Sequence, residues 1–211
     1  MKLLHIDSSI LGEASASREI SAAIVSALSQ TIPNLSIVRR DLEANPLPHL
    51  DGRLLPTIRP DLSASGGVSV AEAGEAAAAL EEFLDADIVV IGAPMYNFTV
   101  TTQLKAWLDR ILIAGKTFAY SETGPKGLAG GKRVVIASSR GGVYSGDAQS
   151  APNDFQETYL RAAFRFIGVD EIEIVRAEGL AFGPEQRNAA VSAALASIPS
   201  LVASYAERLA A

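Results

Sequence analysis

Apolar positions along this chain fall into two alternating patterns, short unbroken runs and longer amphipathic stretches. Lys2 to Asp7 is a short apolar run, and a Ser/Gly/Ala-rich stretch separates it from a segment with Ile20, Ala23, Ile24, Ala27 and Leu28 at helical spacing. That order predicts strand, loop, helix. Leu35 to Arg39 predicts a second strand after the Pro33-Asn34 break, and from Asp41 to Gly67 the proline-rich chain keeps no steady period and predicts a long loop. Val70 to Leu84 reads as a helix. Asp87 to Ala93 is a continuous β-branched run, the pattern of a strand covered on both faces. Thr101 to Ala114 places Leu104, Trp107, Leu108, Ile111 and Leu112 on one helical face. Arg133 to Ala137 predicts a fourth strand, Asp154 to Ile167 a helix, Glu171 to Val175 a fifth strand, and Pro184 to Leu209 a closing helix with Pro in its first turn.

Strands alternating with helices predict the α/β class: an open, mostly parallel sheet with helices on both faces, in one domain of 211 residues. Such sheets take ligands beyond the carboxyl ends of their strands. The loops after the first, third and fourth strands are therefore the ones to inspect.

The first runs from Ser8 to Ser17 and holds four serines, Ser8, Ser9, Ser15 and Ser17, before a helix at Arg18. Hydroxyls and free amides meeting at a helix N-terminus suit a phosphate, although Ser15 or Ser17 acting only as a helix cap explains the same residues. The second, Pro94-Met95-Tyr96-Asn97-Phe98, offers a rigid wall for a planar heterocycle, or an apolar plug for the sheet edge. In the third, Ser138-Ser139-Arg140-Gly141-Gly142, paired glycines permit close backbone approach, and their amides with Arg140 put positive potential beside a ring that gains charge on reduction. A Gly-Gly turn with a solvated Arg is the plainer reading. Together the three outline a site for a mononucleotide.

Composition narrows the chemistry further. The net charge of −6 argues against nucleic acid or an anionic membrane as the main partner. With no Cys and only His5 and His49, the chain builds no disulfide, thiolate nucleophile or ordinary zinc site, so redox chemistry has to come from an organic cofactor. His5 reads as a packed core residue and His49 as solvated. The first apolar run is interrupted by His5 and Asp7 and lacks the length of a signal peptide, and no stretch is read as approaching the ~20 apolar residues of a membrane span, so a cytoplasmic protein is expected. Gly130-Gly131-Lys132 lacks the following Ser/Thr of a triphosphate loop, and the Gly-x-Ser-x-Gly elbow of an α/β hydrolase is missing.

The same residues carry a family resemblance along nearly the whole chain. Ser9 with Ser15-x-Ser17, Ala93-Pro94-Met95-Tyr96-Asn97-Phe98 with Gln103-Leu104-Lys105, Thr117-Phe118, Gly124-Pro125, Ser139-Arg140-Gly141-Gly142, Phe166-Ile167-Gly168 and Ala177-Glu178-Gly179 resemble the FMN-dependent NADH:quinone reductases and azoreductases. The resemblance implies a flavodoxin-like doubly wound five-stranded sheet of order 2-1-3-4-5. It implies that Ser9, Ser15 and Ser17 and the Ala16 amide hold the FMN phosphate, and that Met95, Tyr96, Asn97 and Phe98 with Ser139, Arg140, Gly141 and Gly142 line the isoalloxazine, the Asn97 amide near N5. Ala16 departs from relatives that carry Gln there, which leaves only the backbone donor. A homodimer with active sites at the subunit interface follows by the same likeness, with Phe118 and Tyr120 in the substrate region. The implied reaction passes electrons from NADH or NADPH through FMN to quinones or azo compounds in two alternating half-reactions. A flavin-binding electron carrier or redox-responsive module is the competing reading, and a denser acidic face would favour it.

Overall fold

The computed structural model describes residues 1–59 and 69–209. Five strands form one parallel sheet: β1 (Lys2–Asp7), β2 (Ser36–Asp41), β3 (Ile88–Pro94), β6 (Arg133–Ser139) and β7 (Glu171–Ala177), in the order β2-β1-β3-β6-β7. This is the expected 2-1-3-4-5 order, with a hairpin inserted between the third and fourth sheet strands. The helices are α1 (Ala16–Thr31), α2 (Leu55–Ile58), α3 (Val70–Asp85), α4 (Thr102–Ile111), α5 (Glu157–Phe166) and α6 (Pro184–Leu209).

Alternation along the strands divides the core in two. Leu3, Ile88, Val90, Val135 and Val175 point to one face, where α1 and α6 cover them with Ile20, Ile24, Leu28, Val191 and Ile198. Leu4, Ile6, Val89, Ile91, Val134 and Ile136 point to the other and meet Phe83 of α3, Trp107 of α4 and Phe164 of α5. Phe83 and Trp107 pack edge to face with centroids 5.9 Å apart. Each such buried side chain contributes about 1.5–3 kcal/mol. β3 is buried at every position, as its unbroken apolar run predicted, whereas β2 at the edge is largely exposed.

Several boundaries differ from expectation, each for a visible reason. β6 and β7 continue two residues further because ladder pairing proceeds through Ser138↔Arg176 and Ser139↔Ala177 whatever the polarity. α4 stops at Ile111 rather than Ala114. The Thr117 hydroxyl donates to the Ile111 carbonyl at 2.5 Å and accepts from the Ile113 N–H at 3.0 Å, taking over groups that a continuing helix would use. α5 starts three residues later than Asp154, whose carboxylate accepts from the N–H groups of Gln156 and Glu157 at 3.2 and 3.0 Å and serves as the cap.

The hairpin β4 (Phe118–Ser121) and β5 (Gly124–Gly127) carries no apolar alternation and was not expected. It is seated by backbone approach: a Cβ on Gly127 would fall 2.2 Å from the Gly168 nitrogen. Within the segment expected as a loop from Asp41 to Gly67, α2 forms a single turn, and residues 60–68 lie outside the described part.

By length and mean hydropathy, 1.2, Pro184–Tyr205 of α6 passes for a membrane span, which corrects the expectation that no stretch comes close. In the fold, Val191, Ala194, Ile198, Val202 and Tyr205 of this helix pack on the sheet beside α1.

Candidate functional site

Parallel register brings the strand ends together. Asp7 lies beside Gly92, Pro94 beside Ser139, and Ser139 beside Ala177, so the following loops leave one edge of the sheet. The Gly92 position has no room for a side chain, since a Cβ would stand 2.7 Å from Asp7 Oδ1.

The three inspected loops are bonded to one another. Ser8 Oγ donates to the Gly92 carbonyl at 2.8 Å, the Ser9 and Tyr96 hydroxyls meet at 3.2 Å, and the Met95 N–H donates to the Ser139 carbonyl at 2.8 Å. Between them lies a cavity of about 230 Å³ lined by Ser9, Ser15 and Ala16, by Met95 and Tyr96, and by Ser139, Arg140 and Gly141. A larger groove of about 670 Å³ opens at the opposite, amino-terminal edge among Lys2, Val38, Glu81 and Asp85. Strand carboxyl ends and free helix amides converge only on the smaller one, and these decide where a ligand is held.

At the first loop both readings of the serines hold. Ser15 caps α1, its Oγ accepting from the Arg18 N–H at 3.3 Å, and its hydroxyl lies 3.1 Å from that of Ser17. Ser17 is fully buried behind Ser15 and does not reach the cavity. The N–H groups of Ala16 and Ser17 make no hydrogen bond among the described residues, as expected at a helix start. Arg18 braces the loop: its guanidinium donates to the Ser9 carbonyl at 2.9 Å and grips Asp41 at 2.6 and 2.8 Å. That grip pulls the Asp41 carboxyl down to about 2. Beneath the loop, burial raises the Asp7 pKa, but hydrogen bonding and charge from His5, then hydrogen bonds from Ser21 and Arg39, outweigh it and leave the carboxyl below its ordinary value. His5 is buried and bonded to Ser21 at 3.0 Å, in keeping with a core residue, and His49 is exposed.

The second loop is a tight turn. The Tyr96 N–H reaches the Thr99 carbonyl at 2.9 Å and the return bond is 3.1 Å, with Asn97 and Phe98 between them at φ 47° and 72°. Two successive left-handed residues define a type I′ turn, which favours Asn at its first centre and Gly at its second. Phe in Gly's place is strained, and backbone strain of this kind concentrates at functional sites. Asn97 and Phe98 are exposed and do not line the cavity; Phe98 meets Tyr144 edge to face at 6.4 Å.

The third loop corrects one expectation. Arg140 is not a free positive charge: its buried guanidinium is held by Glu157 at 2.5 Å, Asp154 at 2.9 Å and Glu178 at 3.0 Å, with Gln156 at 3.0 Å. Glu157 is pushed up by burial and pulled further down by the Arg176 fork and Arg140, so it stays ionised. Glu157 is shared with Arg176, so three carboxylates face two guanidiniums; the Arg140 charge is taken up within this cluster, and Arg140 serves to lock the loop. The donors that remain are the N–H groups of Gly141 and Gly142, unclaimed among the described residues. Gly142 stands outside the cavity lining, against Tyr144.

Phe118 and Tyr120 sit on the hairpin and do not line the cavity. Phe118 packs on Phe166 with centroids 4.6 Å apart, and Tyr120 is 76% exposed. Residues that sequence reasoning missed come mainly from beyond β7: Leu180, Ala181 and Arg187 also line the cavity. The sequence carries a signal for them, because β7 ends at the same edge as the other strands and the loop after it leaves toward the same cavity.

Comparison with known proteins agrees with this architecture. A family described by its flavodoxin-like fold matches residues 1–202. The FMN-dependent NADH:quinone oxidoreductase of Methylocella silvestris is 57% identical over 194 residues, covering 92% of this chain and 95% of that protein. Its counterpart from Stenotrophomonas maltophilia is 52% identical over 200 residues, 95% of each. Among solved structures, a Bacillus anthracis FMN-dependent NADH-azoreductase in complex with FMN superposes with a TM-score of 0.84 at 26% identity, covering 97% of this chain and 99% of that one. The chain belongs to the flavodoxin-like family of FMN-dependent NADH:quinone oxidoreductases.

Proposed function

We propose that this chain, as a single flavodoxin-like domain over residues 1–211, binds FMN at the cavity between its three strand-end loops and moves two electrons from NADH or NADPH to quinones or azo compounds. The carrying observation is the convergence of Ser9, Ser15 and Ala16, Met95 and Tyr96, and Ser139 and Gly141 on one cavity. The residues suit the cofactor: unclaimed Ala16 and Ser17 amides at the start of a 16-residue helix favour a phosphate, and the Gly141 amide at the cavity favours a ring that gains negative charge. FMN supplies the hydride acceptance and donation, and the protein positions it and excludes competing reactions. No protein acid or base is assigned to the electron transfer itself, and the two half-reactions alternate at one site.

The working unit is a homodimer, with Phe118 and Tyr120 completing the substrate region from the subunit interface. The surface supports this reading. Phe98, Tyr120, Phe155 and Phe182 are 49%, 76%, 57% and 66% exposed. Phe155 is joined to Phe98 by a backbone hydrogen bond of 3.1 Å, so two of these rings share one patch next to the second loop.

The test is an absorbance spectrum followed by turnover. The purified protein shows bands of bound oxidised flavin, which bleach with NADH and return on adding benzoquinone through many cycles. A colourless protein in excess FMN refutes the reading, and one bleaching without cycling is an electron carrier. Light scattering at micromolar protein gives twice the chain mass; full activity at 22.1 kDa removes the shared site.

A further inference from the structure

The cavity is lined by two arginines, and their surroundings differ. Arg140 is neutralised by three carboxylates. Arg187, in the first turn of α6, is half-buried and pairs with no carboxylate among the described residues; its NH2 donates to the Ala14 carbonyl at 3.1 Å. Ala14 immediately precedes Ser15, the cap of α1, so this guanidinium is parked beside the helix start.

A helix N-terminus carries roughly half a positive charge, and acidic groups are what normally stabilise it. A cation anchored there faces the same sign of potential and the unclaimed amides of Ala16 and Ser17. An anion shared between the two relieves that conflict. A phosphate monoester carries about −1.5 to −2 charges at neutral pH, its second proton leaving near pH 6. Serine hydroxyls and helix amides are neutral donors and balance only part of this. Arg18, the other arginine at the loop, is already spent on Asp41.

We infer that Arg187 is the counter-charge for the FMN phosphate dianion, clamping α6 to the first loop and setting the preference for FMN over riboflavin. The inference rests on the proposed FMN site and assigns its anion selectivity to one side chain. In an acidic chain of net charge −6, a single uncompensated guanidinium at the cavity decides whether a doubly charged ligand is held.

The test is a pair of titrations of flavin-stripped protein, wild type and Arg187→Gln, with FMN and with riboflavin, between pH 5 and pH 8. Wild type binds FMN more tightly than riboflavin, and more tightly still as the phosphate becomes a dianion above about pH 6. Arg187→Gln weakens FMN at least tenfold, flattens its rise with pH and leaves riboflavin affinity unchanged, while Arg187→Lys recovers part of the loss. Equal FMN affinity in wild type and Arg187→Gln overturns the inference and leaves the FMN site standing. So does an equal loss for both flavins, which marks Arg187 as a merely structural tie. A wild type that binds neither flavin overturns the proposed function, and this inference with it.

Discussion

The Tyr96 hydroxyl lies 3.2 Å from Ser9 Oγ, bridging two loops 87 residues apart, and it also accepts from the Ile10 N–H at 3.3 Å. The bridge fixes the first loop against the second at the cavity wall. Tyr96→Phe removes it and keeps the ring. Each lost hydrogen bond costs about 0.5–1.5 kcal/mol, so FMN affinity falls several-fold in a fluorescence titration while the thermal midpoint moves by only a few degrees.

Replacing Ser15 and Ser17 together by Ala separates capping from cofactor holding. Loss of the Ser15 cap lowers stability by about 1 kcal/mol in urea unfolding. A charge-assisted hydrogen bond to phosphate is worth about 1.5–3 kcal/mol, so FMN affinity falls tenfold or more, far beyond the effect on riboflavin. Unchanged FMN affinity would falsify the phosphate role and leave the cap alone.

Phe98 sits at φ 72°, where a Cβ is strained and glycine is not. Phe98→Gly is therefore more stable than Phe98→Ala by about 1 kcal/mol, the reverse of the usual order away from turns. Thermal unfolding of the two variants reads this directly; Ala equal to or above Gly would show that the turn relaxes.

Removing the Arg140 guanidinium takes the shared cation from Asp154 and Glu178 and leaves Glu157 with Arg176 alone. Breaking a buried pair in this way costs about 3–5 kcal/mol. Arg140→Met loses that much in urea unfolding at neutral pH, and a midpoint equal to wild type would show that the loop holds without it.

Asp41 titrates at about 2 in the folded chain against an ordinary 3.8. A carboxyl depressed by folding contributes stability in full above its unfolded pKa and loses it as pH falls through the folded value. Asp41→Asn therefore loses stability less steeply than wild type between about pH 4 and pH 2, and the two run parallel above about pH 5. Urea midpoints across that range measure the difference, and parallel curves at every pH would remove the Arg18–Asp41 coupling.

Hydrophobic periodicity by itself determined the sheet strands, the long helices and the edge where the loops meet. The buried run from Ile88 to Pro94 and the amphipathic stretch of α1 state their environments locally, because a strand or helix face is written in residues two to four positions apart. The hairpin from Phe118 to Gly127 was silent because its seat is a backbone contact with Gly168, and close approach leaves no apolar pattern.

Charge at the site was decided only by tertiary structure. Whether Arg140 acts as a cation depends on carboxylates up to 38 residues away, and Arg187 meets Ala14 across 173 residues. A side chain's charge reads the same in any sequence, but its field depends on partners within a few ångströms. Those partners are brought there by the fold.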